Sequence, residues 1–112
     1  MTTLETNIDE GYRNISKAPL PSERFRDFLD LDYPRKVVTI EPVMDFCLDG
    51  FVDWMVQLKR QDSLEYVWFG FNSKPKQVQL PEPTIEKAQT FVDKIIQNGI
   101  EVRGKSLREV RI

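Results

Sequence analysis

Apolar positions along the chain switch between a period of two and a period of three to four residues. In Met1 to Thr6 the run Thr3, Leu4, Glu5 alternates as a short strand would, and a polar loop from Asn7 to Pro21 follows. Ser22 is the expected cap of a helix from Glu23 to about Leu31, whose Phe25, Phe28, Leu29 and Leu31 fall on one face before Pro34 bars continuation. Lys36 to Ile40 is β-branched and nearly continuous in apolar character, the signature of a strand in a parallel sheet. Asp49 is the expected cap of a second helix reaching about Arg60, with Val52, Met55, Val56 and Leu58 as its inner stripe. Tyr66 to Phe71 reads as a third strand, interrupted at Gly70 where a backbone or ligand can approach closely. A loop stiffened by Pro75, Pro81 and Pro83 leads to Thr84, the expected cap of the most regular helix. In that helix Ile85, Ala88, Phe91, Val92, Ile95 and Ile96 keep the spacing until Gly99 supplies the residue after the C-cap. Ile100 to Arg103 reads as a fourth strand, and Lys105 to Ile112 as a basic tail or final turn.

Strands alternating with helices predict an α/β fold, a parallel four-stranded half-barrel built from three βα units plus a final strand. With 112 residues the chain holds one domain, spanning residues 1–112. Four strands make half of a closed barrel, and the first strand starts at Met1 with nothing before it to cover its edge. Such an edge is normally paired or covered, so the pattern predicts a homo-oligomer or a protein partner.

Composition narrows the chemistry. Hydrophobic residues make up 40% and charged residues 30%, a balance that supports a packed core rather than disorder. The formal net charge of −2 gives no global attraction to nucleic acid or anionic lipid. No His and a single Cys remove an intramolecular disulfide, a Cys/His zinc site and the Ser-His or Cys-His nucleophile pairs. No apolar run has membrane-span length and no secretory signal opens the chain, so the expected setting is soluble and cytoplasmic.

Six blocks, TTLETN (2–7), ISKAPLPSERF (15–25), VTIEPVMDF (38–46), EYVWFGFNSK (65–74), LPEPTIEK (80–87) and EVRGKSLR (101–108), occur in this order. Together they resemble the C-terminal half of a radical-SAM-like family of archaeal, bacterial and phage proteins. The resemblance implies a partial βα barrel, an iron-sulfur cluster held by a Cys-x3-Cys-x2-Cys loop, and S-adenosylmethionine bound across the strand C-termini. This chain carries only Cys47, outside any such loop, so by itself it cannot ligate the cluster in the family's manner. No cofactor is expected for the chain alone, and S-adenosylmethionine enters only if a partner completes the site. Cys47 itself is expected to be a small buried side chain.

Glu5, Asn7, Glu41 and Asn72 lie at or just past the C-terminal ends of the expected strands, the edge where α/β folds place ligands. They are the candidate ligand-binding residues: carboxylates and amides there can receive ribose hydroxyls or an amino group, or else hold loop amides and helix ends. Glu5 and Glu41 on neighbouring strand ends are also a candidate acid/base pair. Arg103, Lys105, Arg108 and Arg111 form a candidate basic patch for phosphate or nucleic acid, against the alternative of a solvated basic end. Gly99 to Ser106 fits the spacing of a phosphate-binding P-loop, but it ends a helix and crosses a strand instead of joining a strand to a helix. Trp54, Met55, Trp68 and Phe69 are expected in the core, or at an interface if the missing half of the barrel leaves them bare.

The leading expectation is a stand-alone half-barrel that acts by protein–protein association, self-assembly or regulation of a partner, without autonomous radical chemistry. The alternatives are a split radical-SAM subunit contributing Glu5, Glu41 and Asn72 to a shared nucleotide site, and a small nucleic-acid-associated regulator.

Overall fold

In a computed structural model, which describes residues 1–77 and 79–112, three strand–helix–strand units build the chain into one α/β layer pair. The elements are β1 (Thr2–Thr3), α1 (Pro21–Asp30), β2 (Lys36–Ile40), α2 (Leu48–Arg60), β3 (Leu64–Phe69), α3 (Ile85–Gln97) and β4 (Val102–Gly104), with one turn of 3-10 helix at Tyr12–Asn14. The sheet has the order β1-β2-β3-β4 and every pairing is parallel, as the alternation of strand and helix patterns predicts. Among the described residues no helix is long and apolar enough to cross a membrane.

Sequential strand order follows when each crossover steps the same way along the sheet, and it puts all three helices on one side. The core records this. Leu4, Val38, Ile40, Val67, Phe69 and Val102 from the strands form one buried cluster with Phe25, Phe28, Phe51, Met55, Leu58, Phe91 and Ile95 from the helices. Its centre is aromatic: the Phe91 ring lies 4.9 Å from Phe51, 5.2 Å from Phe46 and 6.1 Å from Phe69.

The helix ends show where local signals were redirected. Thr84 caps α3 as expected, its hydroxyl oxygen accepting the Lys87 amide at 3.1 Å. Gly99 adopts φ +81°, and the following Ile100 amide reaches back to the Ile95 carbonyl, the bond that closes a Schellman turn. At α1 the cap is not Ser22. The helix begins two residues earlier than expected, with Pro21 in its first turn, where a missing amide hydrogen costs nothing, and Ser22 donates through its amide and hydroxyl to the Asp9 carboxylate at 3.0 and 2.5 Å. At α2 the cap position is Cys47, not Asp49, which lies inside the first turn where a negative charge favours the helix dipole. Cys47 is exposed rather than buried, because its cap position projects from the start of the helix. The inner stripe of α2 is Phe51, Met55 and Leu58, with Val52 and Val56 half-buried, and Leu31 lies exposed past the end of α1.

Strand boundaries shift for similar reasons. Only Thr2 and Thr3 pair in the first strand, although Leu4 still donates to the Thr39 carbonyl at 2.8 Å and is fully buried. β3 starts at Leu64 because Glu65 is an extra residue: Lys36 faces Leu64 whereas Val37 faces Tyr66, a bulge that sets the register of the rest. β3 stops at Phe69 because Glu41-Pro42 ends β2 there, and Phe71 turns to the Ser106 carbonyl instead. β4 runs from Val102 to Gly104 rather than from Ile100, and a Cβ on Gly104 would sit 1.8 Å from the Phe69 carbonyl oxygen. The strand inside residues 99–106 removes the P-loop geometry.

Among the described residues Lys36 is the one charged side chain in the buried set. Its ammonium donates to the Phe28 carbonyl at 2.7 Å and to the Gln61 side chain at 3.0 Å, so the amine closes the C-terminus of α1, where the free carbonyls and the dipole both favour a cation. The tail after β4 is folded rather than loose. Val110 is buried, and Gln89 of α3 clamps the Arg111 backbone by accepting its amide at 2.7 Å and donating to its carbonyl at 2.9 Å. Replacing Phe91 by Ala removes the ring shared by three aromatic neighbours, so urea denaturation is expected to show a loss of about 3–5 kcal/mol in unfolding free energy.

Candidate functional site

The strand C-termini carry the candidate ligand residues, and the structure gives each of them a partner. Glu5 accepts from the Arg24 guanidinium and from the Tyr12 hydroxyl, both at 2.9 Å. Arg24 is the hub of that group. Projecting from α1, it also donates to the Tyr12 oxygen at 2.7 Å, to the Pro19 carbonyl at 3.0 Å and to the Thr3 carbonyl. The last contact occupies the edge of β1, so the edge expected to lie bare is blunted by a charged side chain from the chain itself. Tyr12 is almost wholly buried, and that burial, with its hydrogen bond to Glu5, raises the phenol's pKa above its usual value.

Asn7 receives the Cys47 amide at 2.8 Å and donates to the Cys47 carbonyl at 3.1 Å, which ties the exit of β1 to the start of α2. Gly50 makes this possible, since a Cβ there would lie 2.9 Å from the Asn7 amide nitrogen. Asn72 accepts the Lys74 amide at 3.0 Å, an Asx turn that starts the long loop. Glu41 accepts the Trp68 indole N–H at 2.8 Å. It lies over Gly70, where a Cβ would be 2.5 Å from its carboxylate oxygen, so the close approach expected at Gly70 is made by a side chain of this chain. Glu5 and Glu41 are thus held by separate partners, an ion pair for one and an indole for the other.

Glu41 and Trp68 belong to a larger surface. Helices cover the face of the sheet that carries Val38, Ile40, Val67 and Phe69, so by alternation Val37, Thr39, Tyr66, Trp68 and Arg103 point from the other face. Thr3, Thr39, Trp68 and Arg103 are register partners in one row across all four strands. Val37, Thr39, Tyr66 and Trp68 are half-buried and Arg103 is exposed, its guanidinium stacked 4.1 Å from the Tyr66 ring centre and paired with Glu101. Phe69 lies in the core as expected, whereas Trp68, one residue away, sits on this open face. On α2, Met55 is buried and Trp54 is a half-buried ring stacked on Phe25 at 4.4 Å.

The basic residues of the C-terminal segment separate onto different surroundings. Arg103 lies on the open sheet face, whereas Arg108 forms a two-point pair with Glu82 at 2.8 and 3.0 Å and stacks on Phe71 at 4.6 Å. Lys105 and Arg111 are exposed, the latter with its backbone in the Gln89 clamp. Arg108 and Ser106 both adopt positive φ, +53° and +55°, and the carboxylate and ring contacts of Arg108 hold the segment in that conformation. Among the described residues no group of three Cys, Asp or Glu side chains is arranged to hold a metal ion.

The open-face residues carried a partial sequence signal: in EYVWF every second residue, Tyr66 and Trp68, is an amphipathic aromatic, whereas in KVVTI only Thr39 departs from the apolar run. The Tyr12–Glu5–Arg24 group carried none, because its members come from three segments joined only by folding. Comparisons with protein-family models, with curated proteins and with solved structures return no match.

Because Tyr12 has a raised pKa in the folded protein, its contribution to stability is complete below the unfolded phenol value of about 10 and is lost as pH rises through the folded value. The stability difference between the wild-type chain and Tyr12→Phe is therefore expected to be constant from neutral pH to about 10 and to move against the wild type above it. Urea melts of both proteins across that range measure this, and a difference that stays flat at high pH contradicts the assigned role.

Proposed function

We propose that this protein works by protein–protein association through the open face of its sheet. One observation carries the reading: the parallel sheet has its helices on one side only, and the uncovered side presents Val37, Thr39, Tyr66 and Trp68, none of them fully buried. All-parallel sheets are ordinarily covered on both faces, because both faces are built from residues that gain free energy on leaving water. Aromatic side chains with one polar atom suit a binding surface: the ring supplies area at low entropic cost, and the indole N–H is already oriented by Glu41. The β1 edge is blunted by Arg24, which disfavours strand addition on that side.

The ligand residues of the strand ends fit this role as positioning groups. Asn7 fixes the start of α2, and Glu41 fixes the Trp68 ring. Placing a photo-crosslinking amino acid at position 39, on the open face, and at exposed position 53, on α2, tests the reading in cells. Protein adducts are expected at 39 and not at 53; a chain that yields none at 39, or equal yields at both, refutes it.

A further inference from the structure

The loops at the C-terminal ends of the strands enclose a second surface, apart from the open face. The segment after β1, the turn after β2 and the loop after β3 meet around a cavity of about 270 Å³. Buried Thr6, Tyr12 and Met44 form its floor. Half-buried Ile8 and exposed Ile15 and Pro81 complete its wall, so most of the lining is apolar.

The three loops hold one another in place. The Asp45 amide donates to the Pro81 carbonyl at 2.6 Å and the Met44 amide to the Glu5 carbonyl at 2.9 Å. The Thr6 hydroxyl donates to the Asp45 carbonyl at 2.6 Å while accepting the Ile8 amide at 3.0 Å, and the Tyr12 oxygen is engaged by Glu5 and Arg24. The walls are therefore fixed without an occupant, and the polar side-chain atoms of the floor already have partners. A preformed, mostly apolar cavity with few polar groups is the usual form of a small-molecule site.

The polar groups left at the mouth are of one kind. Glu10 and Asp45 both line the cavity, and no Lys or Arg does. Among the described residues the Glu10 carboxylate makes no hydrogen bond or ion pair. Asp45 uses Oδ1 to accept from Lys87 and from the Phe46 amide, and its Oδ2 accepts from no described residue. An ionised carboxylate can only accept, so the polar end of an occupant must donate, and a cation gains Coulomb attraction besides. Size narrows the occupant further. An apolar cavity of about 150 Å³ holds benzene, so this one has room for a ring or branched alkyl group and a short chain.

From these features we infer that the cavity is a binding site for a small organic ammonium ion, its apolar body against Ile8, Tyr12 and Met44 and its charged end at the Glu10 and Asp45 carboxylates. The site is separate from the open sheet face and does not rest on the association proposed above.

Titration of the whole chain with benzylamine, benzyl alcohol and benzoate, followed by NMR amide shifts, tests it. Benzylamine is expected to shift the Ile8, Tyr12 and Met44 amides saturably, with a dissociation constant of about 1 mM or below, and to leave the Val102 amide of β4 unmoved. Benzyl alcohol, which keeps the ring and loses the charge, should bind at least about fivefold more weakly, and benzoate should not bind. Glu10→Gln and Asp45→Asn should each weaken benzylamine about threefold and together about tenfold, with the alcohol unaffected. Glu10 is exposed and without a partner among the described residues, so Glu10→Gln keeps the test available if loss of the Lys87 pair unfolds Asp45→Asn. No saturable shift at the three amides up to about 10 mM, ten times the expected constant, overturns the site. Equal affinity for amine and alcohol, or an amine affinity indifferent to the folded variants, overturns the assignment of an ammonium ligand.

Discussion

A parallel sheet with its three helices over one face only is the constraint on which the rest of this molecule depends. Each strand–helix–strand unit returns its helix to the same side, so one face receives Phe25, Phe51, Met55, Phe91 and Ile95 and becomes the core, while no helix among the described residues lies over the other. The side chains divide accordingly. On the helix side the strands present Val38, Ile40, Val67 and Phe69, purely apolar and buried; on the other side they present Val37 together with Thr39, Tyr66, Trp68 and Arg103, the last four of which carry polar atoms able to meet water or a partner.

The same constraint explains where polar groups were invested. Side chains from loops and helices hold together the C-terminal rim of the sheet, which lacks the support a complete barrel would give it. Asp9 holds the start of α1, Asn7 holds the start of α2, and Lys87 joins Asp45 at 2.7 Å and the Phe46 carbonyl at 2.9 Å. Arg24 is the most economical of these groups. From one helix position it neutralises Glu5, receives support from the Tyr12 hydroxyl and occupies a carbonyl on the sheet edge. Edge blunting and rim stabilisation are thus one side chain's work. At the opposite end of the sheet Lys36 does the corresponding service for the C-terminus of α1.

The candidate ligand residues Glu5, Asn7, Glu41 and Asn72 therefore turn out to have structural partners, and the residues that lend themselves to binding are ones that a reading of the core would absorb. Trp68 shows the difference most clearly. Next to Phe69 in the sequence, it shares its neighbour's apolar character, but a strand sends adjacent side chains to opposite faces, and only one face has helices over it. The Glu41 carboxylate, positioned as a ligand acceptor by its place at a strand end, finds the Trp68 indole because Gly70 leaves the space between them open.

Much of the fold was legible because the forces that produce it are local. Apolar spacing placed α3 from Thr84 to Gly99, the β-branched run placed β2, and the alternation of strand and helix was sufficient for a parallel sheet in sequential order. Boundaries failed where a distant group intervened: Asp9 at α1, Asn7 at α2, and a bulge at Glu65 that depends on pairing with Lys36. The candidate site was legible only in its parts. The sequence determined that acids and amides stand at the strand ends, that aromatics fill β3 and that bases follow β4. Tertiary structure alone decided that Arg24 reaches Glu5 and Thr3, that Arg108 pairs with Glu82, and which face of the sheet stays open. The physical reason is that these outcomes depend on through-space contacts between segments up to dozens of residues apart, which no local period or propensity encodes.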